Sequence, residues 1–244
     1  MKTGMLLLFC LVAASGVAQT TINKTYPVKP GQNVSLHFDY PELVRISTWD
    51  KNEVSIQGTV SINFGESDDH FELIQSEAGN ALYIENRIRE MKSIPHQMTI
   101  VDKGVKMVFR DKAEYKKYVA EHGKNYDMVS WGLEMDIQLE VKVPRNTVTT
   151  LKAVYGMVEV KDFVGPIRVD ATYGGVDAAL LEKNTGELTA ETNFGTIYTN
   201  LDVKFDGSDV RQRDFHTWVS AKPGTGPSYS FESKYGNVYL RKQP

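Results

Sequence analysis

Apolar and polar residues alternate along most of this chain. Ile137, Leu139, Val141 and Val143 are separated by Gln138, Glu140 and Lys142. A period of two puts one set on a dry face and the other on a wet face, which predicts a half-buried strand. The pattern returns as Val158 and Val160 against Glu159 and Lys161, as Ile167, Val169 and Ala171 against Arg168, Asp170 and Thr172, and as Leu188 and Ala190 against Thr189 and Glu191. It also reaches back to Val34, Leu36 and Phe38, and continues through Leu43 to Ile46, Val54 and Ile56 around the Trp49-Asp50-Lys51-Asn52 turn. These runs are short and rich in Val, Ile and Thr, which suits strands rather than helices. Pro144-Arg145-Asn146 closes one of them.

A recurring unit punctuates the strands: an aromatic residue, glycine, any residue, then a branched aliphatic one. It occurs as Tyr155-Gly156-Met157-Val158, Tyr173-Gly174-Gly175-Val176, Phe194-Gly195-Thr196-Ile197 and Tyr235-Gly236-Asn237-Val238. The glycines are 18, 21 and 41 residues apart, the last gap matching two periods or one period with an insertion. A second glycine (Gly165, Gly186 or Gly226) precedes each of the last three units. Two short strands per period of about 20 residues predict a solenoid of stacked coils. The expected fold is therefore all-β and parallel, β-helix-like, one continuous sheet system over 19–244. Each unit glycine is expected where a Cβ would clash, with positive φ as one reason.

Two segments break the pattern. In 87–134, Asp111-Lys112-Ala113-Glu114 forms a capping box ahead of Tyr115, Tyr118 and Val119 at helical spacing, and His122-Gly123 offers a stop, so 112–122 is read as one short helix. The segment 203–225 carries Arg211, Arg213, Phe215, His216 and Trp218 and is read as a loop or hairpin inserted between coils.

The start of the chain reads as a secretory signal peptide: Lys2, an apolar run from Met5 to Ala14, then Gly16-Val17-Ala18. Cleavage after Ala18 would start the exported chain at Gln19. Cys10, the single cysteine, lies inside this leader behind Phe9, a poor setting for lipidation. The exported chain would then have no disulfide, no cysteine metal site and no transmembrane segment. A net charge of −3 lacks the basic footprint of nucleic-acid binding.

The units at 155, 173 and 235, the Val143-Pro144-Arg145-Asn146 turn and the terminal Lys234-Tyr235-Gly236-Asn237-Val238-Tyr239-Leu240-Arg241-Lys242 run resemble the DUF4097 family of adhesin-like bacterial exported proteins. The likeness is strongest over 136–242 and extends to 27–86. It implies a right-handed parallel β-helix or roll in a cell-envelope protein, located in the periplasm or at the cell surface. It supplies no catalytic residues.

Catalytic motifs are absent. His37, His70, His96, His122 and His216 show no zinc-binding spacing, and there is neither a nucleophile elbow nor a phosphate-binding loop. Asp68-Asp69-His70 beside Glu66 reads as a solvated acidic loop rather than a metal site, and Asp170, Asp177 and Glu191 as outward solubilising residues. No enzyme activity, cofactor or metal is expected. Stacked coils would bring Tyr155, Tyr173, Phe194 and Tyr235 together, either to close a core edge or to form a binding strip. Arg211, Arg213, Phe215, His216, Trp218 and Tyr229 lie in or beside the departure from the repeat, where loops interrupting a solenoid serve function. They are the candidate binding residues for an envelope glycan or protein, the alternatives being a structural envelope component and a polysaccharide-active enzyme.

Overall fold

The structure is a computed structural model that describes residues 19–123, 126, 129–205 and 210–243. The leader, its expected cut after Ala18 and Cys10 lie outside the described residues. Among the described residues strands dominate, with a single α-helix. An eight-stranded and a nine-stranded sheet share one core, and a three-stranded sheet lies apart.

Alternation builds the core. Val34, Leu36, Phe38, Ile137, Leu139, Val141, Leu151, Val169, Leu188 and Phe231 are all buried, while their neighbours in sequence face outward. Five coils each run from the nine-stranded sheet, through a turn, into the eight-stranded one. In chain order they are Asn33–Phe38 with Leu43–Trp49, Thr149–Ala153 with Met157–Val160, Ile167–Ala171 with Val176–Leu180, Glu187–Thr192 with Ile197–Thr199, and Ser228–Ser233 with Val238–Lys242. All neighbouring coils pair in parallel, as a solenoid requires.

The stacking order departs from chain order. The fifth coil lies between the third and the fourth: Ile167 faces Tyr229, which also faces Leu188. This resolves the long gap before Gly236, since the chain steps over one place in the stack, builds the fourth coil, and returns to fill it. The same manoeuvre occurs near the other end. Met135–Pro144 lies between Leu43–Trp49, to which it is parallel, and Glu53–Ile62, to which it is antiparallel.

Antiparallel elements close both ends. Thr20–Pro27 pairs with Glu53–Ile62, and Phe71–Ala78 with Ala81–Ile88. At the far end the 203–225 insertion forms a hairpin, Val210–Arg213 with His216–Ala221, whose second strand continues the nine-stranded sheet beside Glu187–Thr192. Arg211 and Arg213 stand on its outer edge strand, and such charges discourage edge-to-edge pairing.

The 87–134 excursion holds the expected helix, Lys112–His122, and also the three-stranded antiparallel sheet Gln97–Asp102, Val105–Phe109 and Val129–Gly132. The Asp111 carboxylate caps the helix by accepting the N–H groups of Ala113 and Glu114 at 2.7 and 2.9 Å. Glu114 reaches back to the N–H of Arg110, one residue earlier than a capping box predicts. Gly123 ends the helix at φ 58°. Tyr115 and Tyr118 pack on a small separate cluster of Met98, Ile100 and Phe109.

Candidate functional site: an exposed ladder of aromatic rings

The four unit glycines stack along the coil axis in the order 156, 174, 236, 195. A methyl group on Gly174 would overlap the carbonyl oxygen of Gly156; one on Gly236 would overlap that of Gly174, and one on Gly195 that of Gly236. Close backbone approach is the general requirement. Of the four, only Gly156 has positive φ, at 76°. Buried hydroxyls latch the last two turns. Ser233 Oγ accepts the Gly236 N–H and donates to the Gly174 carbonyl, while Thr192 Oγ1 accepts the Gly195 N–H and donates to the Gly236 carbonyl.

With the glycine backbone held inward, the preceding aromatic side chain is turned out. The rings form a continuous column: Tyr40, Tyr155, Tyr173, Tyr235, Phe194 and Phe215. Successive centroids are 6.0, 5.2, 5.1, 5.2 and 5.5 Å apart, and the planes lie within 25° of parallel. This is the offset-stacked range, in which each pair contributes about 0.5–1.5 kcal/mol beyond burial. The column does not close a core edge. From Tyr155 to Phe215 its rings are between 45% and 70% exposed. Ring faces meet one another along the axis, so the column offers solvent mostly ring edges and, in its tyrosine part, hydroxyl tips.

Tyr40 and Phe215 extend the column beyond the four repeat units. Tyr40 belongs to a turn with no glycine, so the motif does not reveal it. A signal was nevertheless present, because each turn aromatic lies two positions after the last inward residue of its strand: Phe38, Ala153, Ala171, Thr192 and Ser233 precede Tyr40, Tyr155, Tyr173, Phe194 and Tyr235.

The insertion residues are divided between two places. Phe215, at the hairpin tip, is the terminal ring of the column. Arg211, His216 and Trp218 lie on the outer face of the nine-stranded sheet, where the Arg211 guanidinium covers the Trp218 ring at 4.5 Å and His216 Nε2 contacts Glu191 at 2.8 Å. Trp218 is half-buried, so neither an open platform nor a core plug describes it. Arg213 is exposed beside Asp214. Tyr229 does not join them. It is buried on the inward face with Phe231, and its hydroxyl donates to the Phe163 carbonyl at 3.0 Å. Its strand alternation overrides its proximity in sequence to the insertion.

Asp170, Glu232 and Glu191 occupy one outward column on adjacent strands. Arg168 bonds to both Asp170 and Glu232. Burial first, and then Asp170 and Glu191, push the Glu232 carboxyl above the ordinary carboxylate range. Asp177 pairs with Arg241 at 2.7 Å. Asp170, Glu191 and Glu232 are all half-buried.

The residues of the acidic loop point different ways. Asp68 is buried, and its carboxylate accepts the N–H of Ile62 at 2.6 Å and that of Thr20 at 3.2 Å. His70 Nδ1 contacts the Arg89 carbonyl, and Glu66 faces Arg110. Asp68 is therefore a structural tie rather than a solvated residue. Among the described residues no group of three or more His, Cys, Asp or Glu side chains could hold a metal, and no helix is long and apolar enough to cross a membrane. A depression of about 680 Å³ lies beside Phe64 and the ion pair between Lys106 and Glu134.

No family model matches the chain, so the DUF4097 resemblance of the turn motifs has no counterpart there, and no curated protein matches it. Among solved structures, the chain is similar to a "putative cell adhesion protein" from Clostridium sporogenes, with 11% identity, 93% of this chain and 100% of the other covered, and a TM-score of 0.50. A "putative adhesin" from Bacteroides fragilis shares 11% identity over 93% of this chain and 99% of its own, with a TM-score of 0.24. The first likeness is one of fold.

Proposed function

We propose that this chain is an exported, non-catalytic binding module of the bacterial cell envelope, adhesin-like in the manner of the DUF4097 family, and that its contact surface is the aromatic column together with the hairpin at its end. The exposed column carries the reading. Folded chains seldom leave a contiguous row of large rings in solvent without a use for it. The leader, removed after Ala18, directs export; N-terminal sequencing of the exported protein is expected to begin at Gln19.

Attachment of the labelled protein to isolated cell envelopes tests the reading. Phe215→Ala is expected to reduce attachment at least tenfold with the melting temperature nearly unchanged, because that ring is the most exposed of the column. Arg211→Ala is expected to act in the same direction through the hairpin. Attachment equal to wild type in both variants would overturn the proposal.

A further inference from the structure

We propose that the aromatic column is a self-recognition surface whose partner is the same column on a second copy of this chain, running antiparallel about a two-fold axis. The inference rests on the reading of the column as the contact surface, and names its occupant.

The chemistry of the column narrows the choice. A sugar ring stacks on an aromatic face, and here the faces of the inner rings are taken by neighbouring rings. An extended peptide would dock through its main chain, but the turn N–H groups are already satisfied within the stack: those of Tyr155, Tyr173, Tyr235 and Phe194 donate to the carbonyls of Asp39, Val154, Thr172 and Lys234. An extended strand or polyproline segment also advances about 3.1–3.4 Å per residue, out of step with rings 5.1–5.5 Å apart. A second copy has the same spacing by construction.

Symmetry agrees. No ring of the column is charged; of the residues that precede its rings Val154, Thr172 and Asn193 are neutral, Lys234 is basic, and the acidic Asp39 and Asp214 at the two ends lie beside His37 and Arg213. A two-fold axis between Tyr173 and Tyr235 sets each of these against the other's copy, Tyr155 against Phe194 and Tyr40 against Phe215. Hydroxyl-bearing rings outside the centre thus meet rings without hydroxyls, and edges of one column enter between edges of the other. An isologous contact needs such a self-compatible patch. Five rings 45–70% exposed, at about 200 Å² for a whole aromatic side chain, offer roughly 500 Å² per copy. The pair would bury about 1,000 Å², the lower bound for a specific interface.

Sedimentation velocity of the purified protein over a concentration series decides the matter. A reversible dimer is expected, weakened at least tenfold by Phe194→Lys and by Tyr155→Lys, with circular dichroism and melting confirming that each variant folds. Phe215→Ala, the most exposed ring of the column, is expected to weaken it as well. Lys24→Ala, on the strand Thr20–Pro27 far from the column, is expected to leave it unchanged. A monomer at every concentration, or a dimer indifferent to the column variants, overturns the self-recognition proposal. If the monomer still attaches to envelopes through Phe215, the broader binding proposal survives and the occupant is a glycan or another protein. If attachment is also indifferent to Phe215 and Arg211, both proposals fall.

Discussion

The two ends of this molecule are held by different means. In the coils from 149 onward equivalent backbone contacts recur from turn to turn, and the glycine column sets how closely the turns approach. Among the described residues between 53 and 134 no such repetition exists. There the chain reverses direction, Asn63 and Phe64 adopt φ of 50° and 59°, and single polar side chains bind distant backbone: Asp68 to Ile62 and Thr20, Asn63 to Pro95 and Glu134, and Asn86 to Asp39. Regular stacking tolerates many side chains but no added Cβ at its turn column. The irregular end tolerates backbone variety but depends on individual carboxylates and amides.

The largest effect is expected where the repeated contact is broken. Gly195→Val would drive a branched side chain into the Gly236 carbonyl and the Thr192 hydroxyl, costing about 4 kcal/mol or more. Thermal melting should show a drop of many degrees or loss of soluble protein. Gly132→Val, in the three-stranded sheet with open space around it, should stay within about 0.5 kcal/mol of wild type. Equal melting shifts for the two would erase the contrast.

Next comes the irregular end. Asp68→Ala strips the acceptor from two main-chain N–H groups, which should cost about 2–3 kcal/mol. Asp68→Asn, keeping one acceptor oxygen, should fall between wild type and Ala in urea titrations. If Ala melts like wild type, the distant ties do not hold this end.

The smallest effect concerns the carboxylate column on the regular half. The raised pKa of Glu232 means the native state holds that proton more tightly than the unfolded chain does. This group's contribution to stability is therefore full below the unfolded carboxylate value of about 4.3 and is lost as pH rises through the higher folded value. Glu232→Gln mimics the protonated form and leaves Arg168 its bond to Asp170. Its melting temperature relative to wild type should rise between pH 3.5 and pH 7; a flat or falling difference would show that the Arg168 pair outweighs burial.

The same contrast governs what could be read in the sequence. Alternation and aromatic-glycine turns are local signals, so strands such as Met135–Pro144 and Ile167–Ala171 and the parallel stacking were legible. So was the helix Lys112–His122, whose cap and stop are encoded within a dozen residues. The stacking order was not, because the fifth coil has the same motif as its neighbours and nothing local says which gap it enters. The outward set of the rings was also hidden, since it depends on carbonyl oxygens of adjacent coils filling the Cβ positions. Tyr229 was misplaced for a different reason: its alternation with Phe231 and Ser233 already marked it as inward. The ties of Asp68 to Thr20 and of Asn63 to Pro95 and Glu134 span long stretches of chain and leave no local trace.

The interleaved fifth coil has a consequence in time. As the chain emerges from its N terminus, the third and fourth coils are made first, and neither can pair with the other, because the place between them belongs to residues not yet made. Only when Ser228–Lys242 arrives do both acquire their shared neighbour. Residues made after both neighbours therefore act as a latch. Contacts of such long sequence separation form slowly, and the coils from 149 onward can complete their stack only after Ser228–Lys242 has been made. A chain cut short before Ser228 would keep every earlier strand and still leave four strand edges unpaired, two in each sheet, so its failure should be one of the whole half rather than of one missing coil.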